Sequence, residues 1–137
     1  MIPHWVKPYI GLPFRLTGRD RRGIDCYGLV ALVYHAVLCV TLPDFVGRYE
    51  DQRDQTRSHL FLEGCGDDRW TPCERPSMFN VVVLDAHGLP AHCGIVVNDR
   101  QMLHITDAAG SCVERFDGPM WSSRIHGFYR YRASANE

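Results

Sequence analysis

Five short apolar runs follow one another from residue 79 onward, near 79–85, 92–98, 101–106, 111–116 and 125–132. Turn residues separate them: Ala86-His87-Gly88, Asn98-Asp99, Ala109-Gly110 and Asp117-Gly118-Pro119. Runs joined by such turns pair as antiparallel hairpins. Ahead of them the periodicity is helical: a short helix or turn within 3–10, a helix over about 26–39, and a second helical region over 44–63. The segment 64–77 reads as a connection rich in Gly, Asp and Pro. Helices first and strands afterwards predict an α+β domain with an antiparallel sheet.

Within that plan, Gly23-Ile-Asp-Cys-Tyr-Gly-Leu-Val30 carries the most chemical information. Asp25 suits a helix N-cap, and Leu29, Val30, Val33, Ala36 and Val37 fall on one helical stripe behind it. Cys26 then occupies the first helical position, where unpaired backbone N–H groups and the helix dipole favour an anion. Only the thiolate is nucleophilic, so this position is chemically useful. Taken alone, Cys26 also reads as a small buried residue at a helix start.

Sixty-six residues later comes a partner, in Pro90-Ala-His-Cys-Gly-Ile-Val-Val97, a buried strand carrying His92 near its start. The next strand, Met102-Leu-His-Ile105, places His104 twelve residues beyond. Folded as a hairpin, the two strands bring both histidines toward the helix start. Cys26, His92 and His104 then form a nucleophile, base and orienter. The helix dipole contributes about 0.3–1 kcal/mol to thiolate formation, and at most ~2. Lowering a thiol pKa by two to three units takes about 3–4 kcal/mol. An imidazolium must supply the larger share, so the reading requires His92.

Asp25-Cys26-Tyr27-Gly28-Leu29-Val30, His92-Cys93-Gly94-Ile95-Val96 and His104 together resemble the NlpC-type papain-like cysteine peptidases. The likeness runs from about Trp5 to Arg132. It implies the minimal papain-like fold over one domain, 1–137, with the nucleophile helix packed on an antiparallel sheet of about five to six strands. It also implies hydrolysis of peptidoglycan stem peptides, characteristically at the D-γ-glutamyl–diamino acid bond. Pro8-Tyr-Ile-Gly-Leu-Pro-Phe14, Leu42-Pro43 and Gly127-Phe-Tyr-Arg130 are similar to small members encoded in phage and gene-transfer-agent tail modules. The partners so implied are stem peptide and tail hub or tip proteins, and the setting is a tail tip acting on the target cell wall. Relatives often carry a tyrosine twelve residues before the nucleophile, where this chain has Phe14. The implied oxyanion and substrate contacts are therefore the Cys26 N–H with Asp25, Tyr27 and Phe14 around it, and Tyr27 or Thr17 as a candidate second donor. Asp107 is an alternative orienter to His104. Ser77-Met-Phe-Asn80 stands where relatives tend to have a Pro-Gly-Asp turn.

Composition excludes several other classes. A formal net charge of −1 argues against binding driven by nucleic-acid phosphates. Arg15, Arg19, Arg21 and Arg22 form a local basic cluster, read as a solvated loop or an attractor of anionic substrate. Pro3, Lys7 and Pro8 interrupt any signal-peptide core, and no apolar window is long enough for a membrane span. The expectation is synthesis in the cytoplasm without a signal peptide. Six cysteines (26, 39, 65, 73, 93 and 112) are expected as free thiols, Cys39 and Cys93 as small hydrophobes. No C-x-x-C occurs, and a zinc site from His59, Cys65, Cys73 and His87 is disfavoured. No cofactor and no metal are expected. A structural tail-tip protein on the same fold, and a papain-like amidase or acyltransferase, remain as alternative functions.

Overall fold

The computed structural model describes residues 1–43, 45–46, 64 and 66–132. The helical region expected over 44–63 therefore lies almost wholly outside the described residues. A 3-10 helix at His4–Tyr9 buries Val6 and Tyr9, while Trp5 stacks on Phe79 with ring centroids 4.8 Å apart. Two short strands, β1 (Arg19–Asp20) and β2 (Gly23–Ile24), pair antiparallel and lead into α1 (Cys26–Leu38). The helix ends one residue earlier than expected because Cys39 adopts the left-handed conformation, its N–H bonded to the Tyr34 carbonyl. That cap leaves Cys39 exposed, contrary to its expected role as a core hydrophobe, whereas Cys93 is buried.

Six strands form the main sheet: β3 (Trp70–Cys73), β4 (Val81–Ala86), β5 (Leu89–Val96), β6 (Gln101–Thr106), β7 (Gly110–Arg115) and β8 (Ile125–Tyr131). Their spatial order is β3-β8-β4-β5-β6-β7, and every neighbouring pair is antiparallel. The expected α+β architecture is thus the one observed. β3 corrects the expectation that 64–77 is only a connection. Its Pro72 hid it, but β3 lies at the sheet edge, where a missing N–H donor is tolerated.

Strand alternation divides the core between the two faces of the sheet. Val81, Val83, Cys93, Ile95, Leu103 and Ile105 pack with Leu29, Val30, Val33 and Tyr34 of α1. Val82, Leu84, Val96 and Met102 pack on the other side with Phe116 and Trp121. Covering both faces explains why the central strands read as nearly continuous apolar runs. It also sets the site: Cys93 and Ile95 face the helix, so His92 and Gly94 belong to the opposite set, as do Met102 and His104. The β4–β5 hairpin turns at His87 and Gly88, both with positive φ (53° and 82°), which matches the strand twist.

Candidate active site

The start of α1 is held by one carboxylate. Asp25 Oδ1 accepts from the Gly28 N–H at 2.8 Å and pairs with the Arg19 guanidinium at 2.8 Å; its Oδ2 accepts from the Thr17 N–H at 3.0 Å. Asp25 is buried, so these contacts replace the water it loses. Gly28 lets the preceding loop approach closely, because a Cβ there would lie 2.3 Å from the Gly18 carbonyl oxygen. Arg21 lies over the Tyr9 ring at 4.8 Å, so two members of the basic cluster have specific contacts. The expectation of a merely solvated loop is corrected for Arg19, whereas Arg21 remains exposed.

On the sheet side, side chains form a chain. His92 Nε2 lies 2.8 Å from His104 Nδ1, and His104 Nε2 lies 2.8 Å from Glu114 Oε1. Trp121 Nε1 donates to Glu114 Oε2 at 3.2 Å, and its ring stacks on His92 at 5.5 Å and 22°. The same indole meets His104 edge-on at 5.2 Å. Gly94 keeps room for this arrangement, since a Cβ there would sit 3.1 Å from His104 Cβ.

The carboxylate orders the protons along the chain. Burial opposes ionisation of Glu114, yet hydrogen bonds from His104 and Trp121 outweigh it and hold the carboxyl below its ordinary value. Burial is the largest influence on His104 and lowers its pKa. His92 acts in the same direction, and Glu114 offsets the shift only partly. A neutral His104 must then donate from Nε2 to the carboxylate, which can only accept. Its Nδ1 accepts from His92 Nε2–H, which leaves Nδ1 as the His92 ring nitrogen outside the relay.

Cys26 and His92 line one cavity of about 200 Å³, together with Phe14, Ile105, Thr106, Asp107, Trp121 and Arg124 among others. Of the sequence-predicted residues, Cys26, His92 and Phe14 thus share a cavity, and His104 stands directly behind His92. The Tyr27 hydroxyl bonds the Pro43 carbonyl, and the Thr17 hydroxyl donates to the Leu16 carbonyl at 2.6 Å. Asp107 is exposed at the cavity, and the carboxylate bonded to His104 is Glu114 instead.

Sequence reasoning missed Glu114, Trp121 and Arg124. Glu114 was accessible by counting across the β6–β7 turn: His104 pairs with Cys112, so Glu114 lies on the same face one step diagonally away. Trp121 and Arg124 follow an irregular segment and carry no comparable periodic signal. His104, Cys112 and Glu114 also place donor atoms within 4.8 Å of one another, a set able to approach a metal ion. In that set His104 and Glu114 are bonded to each other, and burial, reinforced by Glu114, pushes the Cys112 thiol up and keeps it protonated. Among the described residues, Cys26, Cys39, Cys73, Cys93 and Cys112 form no disulfide.

The NlpC/P60 family model matches residues 11–130. The chain belongs to the NlpC/P60 family. It is 26% identical over 119 residues to the murein DD-endopeptidase MepS/murein LD-carboxypeptidase of Escherichia coli K12, covering 85% of this chain and 54% of that protein. The chain therefore spans about half the length of the curated relatives it matches. Among solved structures, the NlpC/p60 domain of peptidoglycan hydrolase SagA superposes with a TM-score of 0.64 at 15% identity, covering 92% of both chains. An NlpC/P60 family protein from Bacillus cereus ATCC 10987 gives a TM-score of 0.68 at 17% identity, covering 97% of this chain and 42% of that one. These likenesses establish the papain-like fold of the family.

Proposed function

We propose that this NlpC/P60 domain is a cysteine peptidase acting on peptidoglycan stem peptides, with Cys26 as nucleophile and His92 as base. The observation that carries the reading is the His92–His104–Glu114 chain, which ends at the cavity containing Cys26. The His92 Nδ1 lone pair takes the thiol proton, and the thiolate at the start of α1 attacks the scissile carbonyl. His92 then protonates the leaving amine and activates the water that releases the thioester. As His92 becomes cationic, His104 and Glu114 stabilise its ring from Nε2. The positive charge is thereby coupled to a carboxylate through a neutral imidazole.

The Cys26 N–H is the first oxyanion donor in this reading. Tyr27 and Thr17 are not second donors, since each hydroxyl already donates to a carbonyl, and Asp25 serves as the helix cap. Phe14 lines the cavity without a hydroxyl, so the substrate-facing wall there is apolar. The bond we favour is the D-γ-glutamyl–diamino acid amide. The curated relative's name specifies other murein bonds, so the test includes both. A phage-like tail tip, with hub or tip proteins as partners and the target cell's periplasm as the place of action, belongs to the same proposal. That part rests on the motif resemblance at Pro8–Phe14, Leu42-Pro43 and Gly127–Arg130. No helix among the described residues is long and apolar enough to cross a membrane.

Defined stem peptides and cross-linked muropeptides are incubated with the protein, and the products are identified by mass. The reading expects a γ-D-glutamyl product that vanishes in Cys26→Ala. Absence of any product from folded protein favours the second reading, a structural tail-tip module, for which Phe14 in place of the tyrosine is the specific support. Product from a non-murein amide but not from muropeptides favours an amidase or acyltransferase.

A further inference from the structure

Arg124 lies on the cavity wall shared with Cys26 and His92, and the relay leaves it unused. Its guanidinium is fixed in two ways. Nε donates to the Asp85 carbonyl at 2.8 Å, and the plane rests over the Trp121 ring at 4.5 Å. Trp121 is itself stacked on His92 and bonded to Glu114, so Arg124 is registered to the relay through one rigid indole. The cation is half-buried. Among the described residues, no carboxylate lies within ion-pair distance of it. The Asp85 side chain points instead to His126, at 3.2 Å between Oδ1 and Nδ1. Asp107 shares the cavity without pairing to Arg124.

We propose that Arg124 is a specificity-determining residue that receives a substrate carboxylate flanking the scissile amide. A fixed guanidinium presents paired N–H donors matched to a carboxylate, and partial burial strengthens that contact. The proposal rests on the peptidase reading above. A γ-linked D-glutamyl residue leaves its α-carboxylate a short aliphatic spacer from the scissile carbonyl. A diamino acid on the amine side can supply a second carboxylate. Both offer the same chemistry, and selective amidation separates them.

Three stem peptides are compared: one with both carboxylates free, one amidated on the glutamyl α-carboxylate, and one amidated on the diamino acid. One of the two amidations is expected to lower kcat/KM about ten- to a hundredfold. Arg124→Gln should lose that much on the free peptide and little on the amidated one, and Arg124→Lys should retain part of the preference. The proposal is overturned if neither amidation matters, or if Arg124→Gln slows all three peptides equally. Calorimetric binding of the same peptides to Cys26→Ala reads the contact without turnover and without altering Arg124. Carboxylate-dependent binding with no cleavage by the natural protein would retain this contact and reject the peptidase reading. Cleavage without any carboxylate preference would do the reverse.

Discussion

On the helix side of the cavity, Asp25 gathers two backbone N–H groups and one guanidinium, all within eight residues along the chain. On the sheet side, His92, His104, Glu114 and Trp121 are joined through side chains alone, from three strands and an irregular segment. The first arrangement is local and forms with the helix itself. The second exists only when β5, β6 and β7 are in register, so it depends on the whole sheet. A thiol can be positioned cheaply by a cap. A base that must stay oriented needs a stack of neighbours whose own protonation states are settled.

The most severe break in the contrast is Cys26→Ala. Muropeptide turnover should fall by at least about 10⁴-fold while the thermal melt stays near the parent, since a small side chain is replaced beside an intact cap. His92→Ala should match that loss and also slow alkylation of Cys26, measured by peptide mapping after iodoacetamide. His104→Ala should cost less activity than His92→Ala. Equal, total losses in both folded variants would contradict separate roles.

Asp25→Ala attacks the other side. It orphans the Gly28 and Thr17 N–H groups and removes the carboxylate paired with Arg19, so chemical denaturation should show about 2–3 kcal/mol of lost stability. A loss under about 0.5 kcal/mol would show that the cap does not hold the helix start.

Glu114→Gln is expected to lower kcat about tenfold. This is the low end for a hydrogen bond to a charged group, because the Glu114 side chain is 41% exposed. Asp107→Asn should leave kcat within about twofold, since Glu114 holds His104. A larger effect at Asp107 than at Glu114 would reverse the assignment of the orienting carboxylate.

Acid sharpens the same comparison through stability. The folded-state pKa of His104 lies below its ordinary 6.5, so the unfolded chain binds more protons as pH falls. Its contribution to stability is fully present above the ordinary value and declines as pH drops toward the lowered one. Glu114, also lowered, acts in the same sense at more acid pH. Melting temperature should therefore fall more steeply below about pH 6.5 in the parent than in His104→Gln. Parallel slopes would remove His104 as the acid-sensitive group. The smallest effect is expected at Phe14→Tyr, where a hydroxyl on the cavity wall should leave turnover equal or raise it by less than about twofold. A marked decrease would show that the wall must be apolar.

Asp25 before an apolar helical stripe was enough to place Cys26 at a helix start, because caps and periodicity act over a few residues. Alternation and turn chemistry likewise made five strands legible, along with His92 and His104. The edge strand at Trp70–Cys73 was not legible, since Pro72 argues against a strand until β8 is there to pair with it. The carboxylate behind His104 was not legible: Asp107, the alternative orienter, is near His104 in sequence, whereas cross-strand register brings Glu114 to the imidazole. Trp121 and Arg124 were decided entirely by tertiary structure. Their approach to His92 depends on where the chain between β7 and β8 returns across the sheet, and no local pattern encodes that path. Residues whose partners lie within a turn or two could be read from order alone. Those held by aromatic stacking and charge across separate strands required the assembled sheet, because their energies exist only at contact distance.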